Sequence, residues 1–188
     1  MYEGEFVVER SSKRKHLEPL PWDKMTCKMA AEGGHLGLLK WARKNDCPWD
    51  VETATMAATH NHLSLLQWAV ENGCPLGKQW CIHHVCVKGH IPVIQWLREQ
   101  GCGWSENACS LAAFCGHNNL LKWLHEQGCP WDTNTCYYLA RRVDPEMLKW
   151  VRQQGCPWDA ETASVAREHG YMKVYKWART HGCPVDEG

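Results

Sequence analysis

Ala112-Ala113-Phe114-Cys115-Gly116-His117-Asn118-Asn119-Leu120-Leu121-Lys122-Trp123-Leu124-His125-Glu126-Gln127-Gly128-Cys129-Pro130-Trp131-Asp132 is the stretch that decides the fold, because the chain repeats it. Its Trp recurs as Trp41, Trp68, Trp96, Trp123, Trp150 and Trp177, at intervals of 27, 28, 27, 27 and 27. Each Trp is followed six positions later by Cys47, Cys74, Cys102, Cys129, Cys156 or Cys183, and then by Pro-Trp-Asp or a near variant such as Pro184-Val185-Asp186. A fixed period of this length marks stacked supersecondary units, none of which can bury its apolar face alone.

Within one unit the residues specify a helix, a turn, a second helix and a loop. The column Asp23, Asp50, Ser105, Asp132 and Asp159 supplies N-caps for the first helix, whose orphan N–H groups need acceptors. That helix closes on small residues (Ala30-Ala31, Ala57-Ala58, Ala112-Ala113) that allow close packing. A turn follows, Gly34-His35, Gly89-His90 or Gly116-His117, replaced by Asn61-His62, Val143-Asp144 and Gly170-Tyr171 in the other copies. The second helix is amphipathic, with Lys40, Gln67, Gln95, Lys122, Lys149 or Lys176 outward and the aliphatic pair and Trp inward. Gly73, Gly101, Gly128, Gly155 and Gly182 end it as left-handed residues, with Asp46 the poorer substitute in the first copy. A second aromatic column (Trp22, Trp49, Trp104, Trp131 and Trp158, with Leu76 and Val185 in register) lies in the loops. A buried Trp covers about 150–250 Å², roughly 4–6 kcal/mol gross at about 25 cal/mol per Å². The one-residue insertion between Cys74 and Cys81, beside Gly77, predicts a longer loop at that junction.

Composition narrows the setting. The chain has 188 residues, Lys+Arg 21 against Asp+Glu 21, and a pI near 7.1, which disfavours a nucleic-acid or membrane-surface footprint. Mean hydropathy is −0.50, no apolar run nears the roughly 18 residues of a membrane span, and Met1-Tyr2-Glu3-Gly4-Glu5 does not read as a secretory signal. There are twelve cysteines, but six share one column, and helical units stack about 8–10 Å apart whereas a disulfide needs Cα atoms within about 7 Å. The column therefore reads as small apolar filler in a reducing compartment, cytoplasmic or nuclear.

Ala112-Ala113, Gly116-His117, Leu120-Leu121, Trp123 and Gly128-Cys129-Pro130-Trp131-Asp132 resemble the ankyrin repeat, in register with its Ala-Ala, Gly-His, paired aliphatics and closing Gly-Ala-Asp-Val-Asn. The likeness spans about residues 22 to 186. Two departures stand out. The family's Thr-Pro-Leu-His is missing, since Thr26, Thr53, Thr135 and Thr162 sit one place closer to the alanines with no Pro after them. The period is also shorter than the usual 33, and the missing residues fall where the family places its β-hairpin finger. The resemblance implies a protein-interaction scaffold without catalysis, and the lost fingers move the expected binding surface to the first helices.

Three short motifs compete with that reading. Cys81-Ile82-His83-His84-Val85-Cys86 holds metal-ligand residue types, yet on a helix they diverge and Cys86 lies in the Ala column. Cys115 and His117 flank Gly116, but no third group orients a nucleophile, and His117 reads as a turn residue bonding backbone between its two helices. Lys13-Arg14-Lys15 reads as a solvated basic run rather than a targeting signal.

The expected architecture is an all-α, ankyrin-like helical-hairpin solenoid of about six repeats with shortened or absent fingers. Residues 1–19 form a tail or degenerate half-repeat; 20–188 form the repeat domain, with units near 23–49, 50–76, 77–104, 105–131, 132–158 and 159–186. Arg167, in place of the usual small residue, fits the polar face of a terminal repeat. The function expected is non-catalytic binding of a protein partner by a monomer, with no cofactor, metal, nucleic acid or membrane. A structural segment of a longer array is the alternative, and a metal-binding repeat protein the weaker one. Comparing copies locates the surface: residues free to vary carry no packing duty. Trp80, His83, Val87, Phe114, Tyr137 and Arg141, in the variable columns of the middle first helices, form the expected protein-binding set.

Overall fold

The computed structural model describes residues 23–105 and 107–185; of residues 78–81 it describes the backbone. Trp22, Asp186 and the basic run Lys13-Arg14-Lys15 lie outside the described residues. Six helical hairpins follow one another: α1 (Lys24–Glu32) with α2 (Leu36–Lys44), α3 (Val51–Thr59) with α4 (Leu63–Glu71), α5 (Lys78–Lys88) with α6 (Ile91–Glu99), α7 (Ala108–Cys115) with α8 (Asn118–Glu126), α9 (Thr133–Arg141) with α10 (Pro145–Gln153), and α11 (Ala160–Glu168) with α12 (Met172–Thr180). Among the described residues there is no strand, so the fingers are absent and the α2–α3 loop is reduced to a tight connection through Cys47-Pro48-Trp49-Asp50.

The caps follow the sequence. Asp23, Asp132 and Asp159 accept from the N–H groups of Thr26, Thr135 and Thr162, and Asp50 from Glu52. In the fourth hairpin the cap is Asn107, without a side-chain bond, rather than Ser105. The inserted residue beside Gly77 does not lengthen the loop: Lys78 follows Cys74 as closely as Val51 follows Cys47, and α5 grows to 11 residues instead. A residue added to a helix keeps its N–H and C=O paired, which a tight loop does not offer it.

First helices pack on first helices along the whole stack, while second helices pack mainly on their own hairpin partners. The first helices therefore follow the shorter, inner arc and present the concave face. The core between the layers is a long band of Ala, Leu, Ile, Val and Cys, including Ala57, Ala58, Leu66, Ile94, Ala112, Leu121, Leu139 and Leu148, with a small second cluster of Ala163, Ala178 and Cys183 in the last hairpin. The second-helix Trp column stays out of it: Trp41 is 48% exposed and the rest are half-buried, so full-burial energies overstate its share.

Those Trp rings instead meet the loop Trp column edge-on. Trp49–Trp68, Trp104–Trp123, Trp131–Trp150 and Trp158–Trp177 all have centroids 5.8 to 6.2 Å apart, a geometry the ring quadrupoles favour. On each loop Trp lies a cation or imidazole from the preceding second helix. Arg43, Arg98 and Arg152 sit 4.3, 4.2 and 4.0 Å above Trp49, Trp104 and Trp158, and His125 stacks 4.1 Å from Trp131. The same guanidiniums donate to the carbonyls of Cys47, Cys102 and Cys156, closing the helix ends. Where the loop residue is Leu76, the Arg position holds Val70.

The cysteine column does more than fill space. Cys47, Cys74, Cys156 and Cys183 donate from Sγ to the carbonyls of Asp23, Asp50, Asp132 and Asp159 at 3.2 to 3.6 Å, pinning each loop to the start of its own hairpin. All cysteines of the column are free thiols.

Candidate functional site

The concave surface is built from three positions of each first helix that point away from the Ala stripe. At the first, Met25, Glu52, Asn107, Asn134 and Glu161 are all exposed. At the third, Glu32, Phe114, Arg141 and Glu168 are exposed, and Thr59 and Val87 half-buried. At the second, Lys28, Thr55, His83, Tyr137 and Ser164 are half-buried, and Ser110 is buried with its hydroxyl donating to the Asn107 carbonyl at 3.1 Å. The expected site residues therefore fall as follows. Phe114 (49% exposed) and Arg141 are open to solvent, Tyr137, His83 and Val87 are half-buried, and the Trp80 side chain lies outside the described residues.

The structure divides the aromatic set between adjoining grooves. Phe114 joins Asn107, Ser110, Leu111, Asn134 and Tyr138 in a groove of about 280 Å³ between α7 and α9. Tyr137 edges the next groove, between α9 and α11, with Glu161, Ser164, Val165, Arg167 and Glu168. The two are linked through Tyr138, whose ring lies 5.1 Å from Phe114 and 5.2 Å from Tyr137, edge-on to both. His83 packs instead on His84, centroids 5.6 Å apart. Leu111 and Tyr138 are absent from the set read off the sequence. Their column, with Met29, Met56, His84 and Val165, also varies between copies, but its apolar character reads as packing until Phe114 is seen against Tyr138.

The charges on this face are distributed unevenly. Lys24 pairs with Asp50 at 3.1 Å and Lys28 with Glu52 at 2.7 Å, each one hairpin further on. The bond to Glu52 holds the Lys28 ammonium above the usual lysine range. Arg141 and Arg142 form no ion pair among the described residues.

The motifs weighed against binding resolve differently. His117 donates from Nε2 to the Val87 carbonyl of the preceding repeat at 2.9 Å, so it ties repeats together rather than bonding its own turn. His62 does the same to Glu32 at 3.0 Å, and Arg142 takes over the role toward Phe114 at 3.0 Å. Cys115 is half-buried and no hydrogen bond joins it to His117. Among the described residues no three His, Cys, Asp or Glu side chains converge on a point where a metal could sit; the Cys81 side chain is outside them. No described helix is long and apolar enough to cross a membrane.

Residues 54–98 match the family model described as "Ankyrin repeats (many copies)". No curated protein matches the chain in sequence. Among solved structures, the human ASB11 ankyrin repeat domain superposes with a TM-score of 0.66 at 15% identity, covering 84% of this chain and 83% of that one. Ankyrin repeats in general serve as protein–protein interaction modules and are typically non-enzymatic. Residues 54–98 thus match ankyrin repeats, and the six hairpins of one repeating pattern around them give the chain an ankyrin-type fold, here with a period of about 27 residues.

Proposed function

We propose that the protein is a non-catalytic scaffold that binds a protein partner across its concave first-helix face, with Phe114, Tyr137, Tyr138 and Arg141 at the centre and Trp80, His83 and Val87 on the neighbouring repeat. One observation carries this reading: the first helices keep a buried apolar stripe, Ala in most copies with Val85, Cys86 and Leu139 in the others and the exposed Arg167 at its end, while an exposed position of the same helices holds Met25, Glu52, Asn107, Asn134 and Glu161. Variation confined to an accessible, rigidly backed surface is what a recognition face needs. The loops support the same assignment by default. Their Trp side chains are engaged by Arg or His and by the second-helix Trp column, so little is left there for a partner to read.

Site-specific photocrosslinking in cells tests it. A benzophenone side chain placed at Glu52 or Asn134 is expected to trap the same partner protein, whereas one at Lys40 or Lys122 on the outer helices traps none. Adducts confined to the outer positions would overturn the assignment.

A further inference from the structure

The concave face carries matched charge at one end and unmatched charge at the other. In the first two repeats Lys24 and Lys28 are each satisfied by a carboxylate of the next unit. In the fifth, Arg141 and Arg142 are exposed and form no ion pair among the described residues. Arg142 is nonetheless held in place. Its Nη1 donates to the Phe114 carbonyl at 3.0 Å, and the guanidinium lies over Gly116, where a Cβ would come within 2.1 Å of Nη2. That bond uses one of five N–H donors, leaving a planar fork of the kind that receives carboxylates in a bidentate manner.

Beside these two cations opens the α7–α9 groove, its apolar wall made by Leu111, Phe114 and Tyr138 and its far end by Asn107 and Asn134. Its volume of about 280 Å³ falls just below the roughly 300–1,000 Å³ typical of small-molecule sites. It has room for one large side chain of an incoming segment. We infer that the partner element seated here is a short acidic peptide segment with one aromatic or large aliphatic residue. That residue enters between Phe114 and Tyr138, and a carboxylate a few positions away meets Arg141 and Arg142. The amides of Asn107 and Asn134 then face the segment's backbone. An RNA strand suits the surface poorly, since Glu161 and Glu168 line the adjoining groove where its next phosphates would run. The inference rests on the protein-binding reading above and adds the chemistry of the partner.

The test is selection of an unbiased random linear dodecapeptide library on the full chain, followed by fluorescence anisotropy with the enriched peptides. The expected consensus pairs an aromatic, Leu or Met with Asp or Glu a few positions away. Affinity is expected to fall at least tenfold in Arg141→Glu and in Phe114→Ala, and to weaken from 50 to 500 mM salt on the order of tenfold. Replacing the peptide's acid by Lys should restore binding to Arg141→Glu, which a misfolded variant could not do. Peptides that lack an acid, or bind Arg141→Glu unchanged, yet are lost on Asn134→Arg overturn this inference and leave the concave-face reading standing. Peptides indifferent to every first-helix substitution overturn both. A library yielding no consensus, or Arg141-dependent binding of single-stranded poly(U) in place of peptide, also overturns the inference.

Discussion

His117 Nε2 donates to the carbonyl of Val87 across a repeat boundary, at 2.9 Å, and the bond passes over Gly89 so closely that a Cβ there would meet the imidazole at 2.9 Å. His62 over Gly34 and Arg142 over Gly116 repeat the arrangement. The Gly-His pair is thus one device spread over two repeats: Gly supplies both a positive φ (78° at Gly89) and the space, and the next repeat's His fills it. His117→Ala should lower unfolding free energy by about 0.5–1.5 kcal/mol through the lost hydrogen bond. Gly89→Ala should cost more than about 1 kcal/mol, since backbone strain adds to the clash. Urea titration of both variants checks the order, and a neutral Gly89→Ala would refute the packing argument.

Val143 stands where other copies have Gly or Asn, at φ 59°. A β-branched residue in the left-handed region is strained. Val143→Gly is therefore expected to stabilise the protein by about 1 kcal/mol net of the added unfolded-state entropy, seen as a higher urea midpoint at unchanged slope.

Arg98 lies 4.2 Å over Trp104 while donating to the Cys102 carbonyl. A double-mutant cycle of Arg98→Ala and Trp104→Leu should return a coupling of about 0.5–2 kcal/mol. The natural pairing of Val70 with Leu76 argues that the two positions respond to each other. Strictly additive effects would show that they do not.

Burial pushes the Cys27 thiol up to about 12, aided by the Cys47 sulfur 3.4 Å away, and burial alone does most of the same at Cys86. Only a thiolate is alkylated, so iodoacetamide at pH 8 should spare both. Cys115, the one cysteine among the described residues that is not buried, should label first. Peptide mapping by mass spectrometry reads the order directly.

Desolvation lowers the His90 pKa below its usual 6.5, against the opposing pull of the Thr59 carbonyl. The folded state thus disfavours protonation relative to the unfolded chain. Its contribution to stability is complete above pH 6.5 and is lost as pH falls through the folded-state value. Denaturant midpoints should drop between pH 7 and pH 5, and His90→Asn should flatten part of that slope.

The fold was legible in the sequence because its information is local and stated six times. Asp caps, Ala stripes, left-handed Gly residues and aliphatic pairs each act within a few residues, and their repetition sets the hairpin, its period and the absence of the finger. Comparison of copies likewise marked Phe114 and Arg141 as exposed, but it read Tyr137 as free of packing duty, and the structure leaves that ring half-buried against the core. What crosses between repeats could not be read this way. That His117 reaches Val87, that Arg43, Arg98 and Arg152 cover loop Trp rings, and that the extra residue beside Gly77 enters α5 all depend on distances between segments about 6 to 30 positions apart in a stacked array. The site has the same limit: Tyr138 becomes part of it, and Tyr137 turns to the next groove, only once α7, α9 and α11 are laid side by side. The sequence by itself determined the Ala, aliphatic and Cys positions that each hairpin buries, because helix periodicity is a property of one segment; the tertiary structure decided that the second-helix Trp column stays half-exposed and which exposed side chains share a groove, because that is a matter of how neighbouring helices and loops are spaced and turned.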